Sequence, residues 1–198
     1  KVQTIAKEVL EQLGPTISAD DTEQTIAARA VLMLSKHSID RTWYHTCPAM
    51  VLLGSRSCLS LSGREYVPHD ELVGETNLVT VDLSPLLDKA WGDCARSFFI
   101  EAGMAAPVPQ RPDFKRGQQM QRALHRAMQK FITLATTFEQ LHQFANEMIQ
   151  SQGFENLDFM GNLGHTIETK LEDRRYIEAG NTARLADAKL FTFEPHIR

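Results

Sequence analysis

The sequence predicts an α+β fold with helices on one face of an antiparallel sheet. Three observations carry that reading. Apolar residues recur at helical spacing in separate blocks, at 2–13, after Asp20, and again from 118 to 149. Residues 78–83 (LVTVDL) alternate and are β-branched, and 90–100 (AWGDCARSFFI) read as their hairpin partner across "SPLLDK". The strands cluster between helix pairs rather than alternating with single helices, which favours an antiparallel sheet over a parallel one. The 198 residues suffice for one domain with its own core.

Each element follows from local signals. In 2–13, Ile5, Val9, Leu10 and Leu13 line one helix face, and Gly14-Pro15 stops the run. A second helix is expected to start near Asp20, with Asp20 and Glu23 as a capping-box-like pair and Ile26, Ala30, Met33 and Leu34 as its buried stripe. Residues 41–63 are poor helix material, and "AMVLLGSRSCLSLSG" reads as two short strands turning around Gly54. Residues 103–117 hold three prolines and two glycines and read as a loop. A helix over 118–131 follows. Thr136 and Glu139 fit a capping box for the next helix, with Phe138, Leu141, Ala145, Met148 and Ile149 on one face and Gly153 as its stop. A strand is expected at 189–194 (KLFTFE).

Composition excludes several function classes. Hydrophobic content is 42%, charged content 23% and formal net charge -4, so no basic face for nucleic acid is indicated. The three cysteines, Cys47, Cys58 and Cys94, form no CxxC pair. They read as small buried hydrophobes in a reducing, cytoplasmic setting rather than as a disulfide framework or thiolate zinc site. No run of 18 apolar residues is present, so no membrane span is expected. The N-terminus lacks a signal-peptide pattern and starts with Lys rather than Met, as expected for a fragment or a trimmed chain.

The chemistry centres on "VDLSPLLDKAWGDCARSF", where Asp82 and Asp93 stand eleven residues apart in an otherwise apolar hairpin. Alternation puts Asp82 on a face with Leu78 and Thr80, and Asp93 on a face with Trp91, Ala95 and Ser97. If those faces coincide, the carboxylates converge, and they then need either a shared proton or a divalent cation between them. His165 in "GNLGHTIE" and Glu194 in "LFTFEPHI" add an imidazole and a third carboxylate. Such a set suits Mn(II), Fe(II), Co(II) or Zn(II) more than a structural thiolate zinc. From composition alone a hydrogen-bonded structural histidine and a turn glutamate remain the alternatives.

These segments together resemble the methionine aminopeptidase, Xaa-Pro dipeptidase and creatinase family, whose fold is known as the pita-bread fold, an antiparallel curved sheet covered by helices on one face. Asp82, Asp93, Arg96 and Phe98 occupy the places of the family hairpin at its eleven-residue spacing. "GNLGHTIE" looks like the family's Gly-His-Gly-Ile-Gly segment, and "LFTFEPHI" looks like its Phe-Thr-Ile-Glu-Pro segment. "TTFEQLHQFANEMIQSQGF" is similar to the helix before the His motif, and "TWYHTCPAMVLLGSRS" looks like the Xaa-Pro dipeptidase side of the family.

The resemblance implies two divalent metal ions (Mn, Fe, Co or Zn) held by Asp82, Asp93, His165 and Glu194, and a metal-activated water attacking a peptide carbonyl, with Glu194 also acting as general base. It further implies that His69, in "YVPHDE", hydrogen-bonds the substrate, a surface-loop histidine being the alternative. His45, Glu172 and His196 become substrate-binding candidates. Glu172 stands where the family often has a second substrate histidine; it can hold a substrate amine, pair with Arg174 or Arg175, or belong to a solvated charge run. Ser84 and Thr166-Ile167-Glu168 replace glycines of the family pattern, which reshapes the pocket floor. The family's fifth ligand, a glutamate, lies beyond the Glu-Pro motif. The expectation is therefore one catalytic domain over 1–198 that lacks its last strand, the alternative being a site of only four protein ligands with a single metal. The expected function is a metal-dependent hydrolase of the aminopeptidase or Xaa-Pro dipeptidase type. The alternatives are a metal-free, creatinase-like C–N hydrolase and a non-catalytic peptide- or protein-binding module. The expected partner is a peptide or small amide, with no nucleic acid and no membrane; the family expectation is a homodimer.

Overall fold

The computed structural model describes residues 1–198 except Phe159. The chain divides into two compact units, Lys1–Gln110 and Arg111–Arg198, each with its own apolar core.

The first unit holds helices α1 (Val2–Leu13) and α2 (Glu23–Lys36) and strands β1 (Arg41–Thr42), β2 (Ala49–Leu53), β3 (Thr76–Leu83), β4 (Pro85–Leu87), β5 (Ala90–Trp91), β6 (Cys94–Glu101) and β7 (Met104–Ala106). An antiparallel sheet runs β2-β3-β6-β7, and a smaller one runs β1-β4-β5. Val51 pairs with Val81, Leu53 with Val79, and Leu83 with Cys94. Directly paired residues share a face, so these side chains form one apolar surface. Ile5, Val9, Leu10 and Leu13 of α1 and Ile26, Ala30 and Leu34 of α2 bury against it. Each of these valine, leucine and isoleucine side chains, fully buried, stabilises the fold by about 1.5–3 kcal/mol. The α+β class with helices on one sheet face is as the sequence predicts.

Several local expectations change. Helix α2 is capped by Thr22, not Asp20: Thr25 N–H donates to Thr22 Oγ1 at 3.2 Å, and Thr22 N–H donates to Thr25 Oγ1 at 2.9 Å. Glu23 is instead fully buried, and its carboxylate accepts from Leu53 N–H (3.0 Å), Arg56 Nε (2.8 Å) and His69 N–H (2.8 Å). A buried carboxylate needs such partners, and the 53–69 segment supplies them, so Glu23 is not free to cap. No second strand follows Gly54. Gly54 adopts φ +51° and opens a 3-10 turn over Gly54–Cys58. The edge of β2 is closed by Tyr66, whose hydroxyl accepts from Val51 N–H and donates to Val51 C=O, each at 3.0 Å. Burial pushes the Tyr66 phenol up to about 12. The expected loop at 103–117 contains β7, paired with β6, and the first turn of the next helix. That helix begins at Pro112, where the missing N–H costs nothing.

The second unit opens with α3 (Pro112–Phe131) and α4 (Phe138–Ser151). The α4 box is one residue later than expected. Thr137 caps Gln140 N–H at 3.1 Å, and Gln140 Oε1 accepts Thr137 N–H at 3.0 Å; Thr136 accepts from Thr133 N–H at 2.9 Å instead. Phe138, Leu141, Ala145 and Ile149 are buried with Leu124, Leu163 and Ile177. Gly153, at φ +69°, ends the helix as expected.

Segment 189–194 forms no extended strand, only a bridge at Thr166↔Phe191, yet its backbone is laddered to 163–167. Ile167 N–H donates to Leu190 O (3.0 Å), Thr192 N–H to His165 O (2.8 Å) and Glu194 N–H to Leu163 O (2.9 Å). On its other side, 163–167 pairs with 175–177 through Leu163 N–H to Ile177 O (3.0 Å) and Thr166 N–H to Arg175 O (2.9 Å). Close approach depends on Gly164, at φ +130°, where a Cβ would lie 2.4 Å from Thr192 O. Among the described residues, no helix is long and apolar enough to cross a membrane.

Two stability predictions follow from this packing. Gly164→Ala adds both a backbone clash and a disfavoured φ, and is expected to cost about 2 kcal/mol or more; urea denaturation showing less than about 0.5 kcal/mol would contradict the ladder. Asp21 accepts from Ser18 N–H (2.9 Å) and Thr25 Oγ1 (2.8 Å) and pairs with Arg29. Burial opposes its charge, but the Arg29 guanidinium, Ser18 N–H and Thr25 hydroxyl together hold its carboxyl below the usual range. A carboxyl lowered on folding contributes stability above its unfolded value near pH 4, and that contribution fades as pH falls through the lower native value. Asp21→Asn is therefore expected to lower stability by about 1–3 kcal/mol at pH 7 and by progressively less below pH 4, read from thermal unfolding at both pH values.

Candidate functional site

The hairpin register sets the first pair of carboxylates. Asp82 pairs with Ala95 of β6 and with Met50 of β2, so it lies on the face opposite Val81 and Leu83, away from the helices. Asp93 lies at the corner between β5 and β6, one residue before the first rung of the β3–β6 ladder, Leu83↔Cys94. The alternation expected of Asp82 is observed, whereas Asp93 stands outside the paired strands. Asp93 is buried and Asp82 half-buried, and Asp82 Oδ1 and Asp93 Oδ2 are both out of solvent.

The Gly92–Asp93 corner that carries the second carboxylate is held on every side. Gly92 N–H donates to Pro85 O at 2.9 Å. Trp43 Nε1 donates to Gly92 O at 2.7 Å, its ring 4.6 Å from that of buried Trp91. Asp93 N–H donates to Gln3 Oε1 at 2.8 Å, and Gln3 Nε2 donates to Asp93 O at 2.7 Å. Gly92 leaves room for this approach: a Cβ there would stand 3.1 Å from Pro85 Cγ and 3.3 Å from Gln3 Oε1. The neighbouring thiols are poor ligands. Burial, helped by the Asp82 charge, pushes Cys47 up to about 11, and burial likewise raises Cys94. Both stay protonated at neutral pH.

Two further candidates belong to this unit. His69 is exposed, with its backbone anchored on Glu23; its Nδ1 accepts from Glu71 N–H at 3.3 Å. Accepting at Nδ1 leaves Nε2 as the N–H donor of the neutral ring. His45 sits at φ 45°, packs on Tyr44 at 4.7 Å between ring centroids, and accepts from Arg64 Nε at 3.3 Å through Nδ1.

In the second unit His165 and Glu194 come from adjacent rungs of the ladder. His165 is buried, and its Nδ1 is 3.0 Å from Thr166 O. A carbonyl can only accept, so Nδ1 carries the proton and Nε2 presents its lone pair. Nε2 lies 3.8 Å from Glu194 Oε1, too far for a hydrogen bond and less than the sum of two typical metal–ligand bonds of about 2.0–2.2 Å. Thr192 ties the two together: Oγ1 accepts from His165 N–H at 3.0 Å and donates to Glu194 Oε1 at 2.5 Å. Tyr176 meets the His165 ring edge-on at 5.8 Å. The donor set of imidazole Nε2 and carboxylate oxygens fits a first-row divalent ion.

Glu172 is exposed on a 3-10 turn over Leu171–Asp173. The arginines expected beside it act elsewhere: Arg175 pairs with Glu168 at 3.6 Å, and Arg174 donates to Leu171 O and lies over the Tyr176 ring. His196 is half-buried, and its carbonyl accepts from Leu157 N–H at 2.8 Å. Sequence reading missed Gln3, Trp43 and Thr192, which act by hydrogen bonds to distant backbone or to a neighbouring ligand-type side chain.

The chain matches the model of Metallopeptidase family M24 over residues 1–198. Comparison with curated protein sequences finds no match. Among solved structures, X-Pro aminopeptidase from Thermotoga maritima superposes with a TM-score of 0.80 at 20% identity, covering 98% of this chain and 51% of that one. Prolidase from Pyrococcus horikoshii gives a TM-score of 0.79 at 17% identity, covering 98% and 52%. Dipeptidase PepE from Mycobacterium ulcerans gives 0.76 at 18% identity, covering 98% and 48%. The chain thus spans about half the length of these solved proteins. At such identities the structural likeness speaks to the fold alone, the pita-bread α+β fold, while the family model covers every residue: this chain belongs to Metallopeptidase family M24.

Proposed function

We propose that this chain is the catalytic domain of a divalent-metal-dependent hydrolase of the aminopeptidase or Xaa-Pro dipeptidase type, with Asp82, Asp93, His165 and Glu194 as metal ligands. What supports this reading is the local setting of each of the four motif residues. Asp82 lies on the sheet face opposite the apolar core, buried Asp93 is anchored at the adjoining corner by Gln3, His165 is held in the tautomer that offers Nε2, and Glu194 accepts from the Thr192 hydroxyl. The names of the solved relatives, X-Pro aminopeptidase and prolidase, support the proline preference.

Bound at these residues, two ions of the Mn, Fe, Co or Zn type would lower the pKa of a water and polarise the scissile carbonyl. The side chains do the rest. Glu194 accepts the proton of the attacking water, and the Thr192 hydroxyl on Oε1 orients that carboxylate for the task. His69, a donor at Nε2, hydrogen-bonds the carbonyl oxygen as it gains charge. The exposed Glu172 carboxylate receives the free amine of the peptide, and His45 and His196 donate to its far end. Three thiols suit a reducing cytoplasm, and the family expectation of a homodimer is part of the same proposal.

Protein purified without chelator is expected to carry close to two metal ions per chain by elemental analysis. Asp93→Asn should keep the far-UV spectrum of the parent and lose the metal; full metal content in that variant would refute the ligand assignment. Dipeptides with Pro in the second position should be cleaved at least tenfold faster than matched dipeptides without it. Chelation should stop turnover and added Mn(II) restore it, whereas chelator-resistant turnover would favour the metal-free C–N hydrolase. Glu194→Gln should lower kcat by about 10²–10⁴-fold, the usual worth of a general base.

A further inference from the structure

We propose that Gln3 is a positioning residue of the metal site, its carboxamide clamping the Asp93 backbone and so aiming the Asp93 carboxylate. The inference rests on the reading of Asp93 as a ligand. Gln3 lies in the first turn of α1, ninety residues from Asp93 in sequence. Its carboxamide pairs with Asp93 N–H at 2.8 Å and with Asp93 C=O at 2.7 Å. A side-chain amide presents a donor and an acceptor much as a peptide group does, so Gln3 acts like one more rung of the sheet. That rung is needed at this point, because the β3–β6 ladder ends at Leu83↔Cys94 and does not reach Asp93.

The neighbouring features point the same way. Gln3 is half-buried at the border of the apolar face that Val2, Ile5, Ala6 and Val9 form on α1, where its carboxamide can reach across to the corner. Gly92 lets the helix turn come close. Trp43 holds Gly92 O from its indole, so the peptide groups on both sides of the Asp93 Cα are fixed by side chains. A ligand whose backbone is fixed loses little freedom on binding metal, and removal of such supporting partners typically costs 10–100-fold in metal affinity.

The test is Mn(II) affinity of the intact protein, read by the EPR signal of free Mn(II) at a temperature well below the melting point of the metal-free form. Gln3→Met keeps length and removes both hydrogen bonds; it should weaken Mn(II) binding 10–100-fold. Gln3→Glu keeps the acceptor for Asp93 N–H and should fall between parent and Gln3→Met. Gln12→Met, the same exchange on the exposed face of α1, should bind as the parent does. If Gln3→Met fails to fold, Trp43→Phe, which removes only the bond to Gly92 O and keeps an aromatic ring, should show a smaller loss in the same direction. Parent-like affinity in Gln3→Met or Gln3→Glu, even with a lowered melting point, would reduce Gln3 to a packing role and overturn the proposal. A parent protein that binds no Mn(II) would overturn the metallopeptidase reading itself, and this inference with it.

Discussion

The pairing of β3 with β6 is the constraint on which the first half of the site depends. Side chains alternate along a strand, so one register sends Val79, Val81 and Leu83 to the helices and Asp82 to the other face. A slip of one residue would bury the Asp82 carboxylate and expose three valine and leucine side chains, each worth about 1.5–3 kcal/mol when buried. The apolar core therefore sets the position of the Asp82 carboxylate, although Asp82 contributes nothing to that core. Asp93 lies just outside this paired stretch, which explains why its corner draws on Gln3 and Trp43.

The second unit solves the same problem without long strands. Residues 163–167 are gripped between 175–177 and 190–194 by single hydrogen bonds, and Gly164 permits the contact with Thr192. Thr192 Oγ1 lies 2.5 Å from Glu194 Oε1 and 3.2 Å from His165 O. A hydroxyl has one proton, and the shorter approach to a charged oxygen takes it. The same hydroxyl accepts from His165 N–H, so one side chain sets the spacing of an imidazole and a carboxylate.

Much of this was legible in the sequence, for reasons tied to particular residues. Helix α1 showed because Ile5, Val9 and Leu13 repeat at helical spacing and Gly14-Pro15 breaks it. The hairpin showed because valines alternate with polar residues, and its two aspartates stood out as charges in apolar surroundings. The caps were misread by one or two residues, because Thr22 and Thr137 compete with adjacent Asp20 and Thr136 and only tertiary demand decides. Glu23 looked like a cap residue until the 53–69 segment claimed its carboxylate. The strand expected at 189–194 is real as a hydrogen-bonded rung but too briefly paired to form a regular element. The supporting residues Gln3, Trp43 and Thr192 could not be read, since a polar side chain bonded across the fold leaves no periodic trace.

The two carboxylates of the first unit and the imidazole–carboxylate pair of the second are the donors of the proposed reading, ligation of divalent cations by oxygen and a single imidazole nitrogen. Anomalous diffraction at the manganese edge, from crystals of the intact protein grown with Mn(II), tests it most directly. The expected map has peaks in bonding contact with the carboxylates of Asp82, Asp93 and Glu194 and with Nε2 of His165. Peaks elsewhere, or none while those side chains point apart, would contradict it.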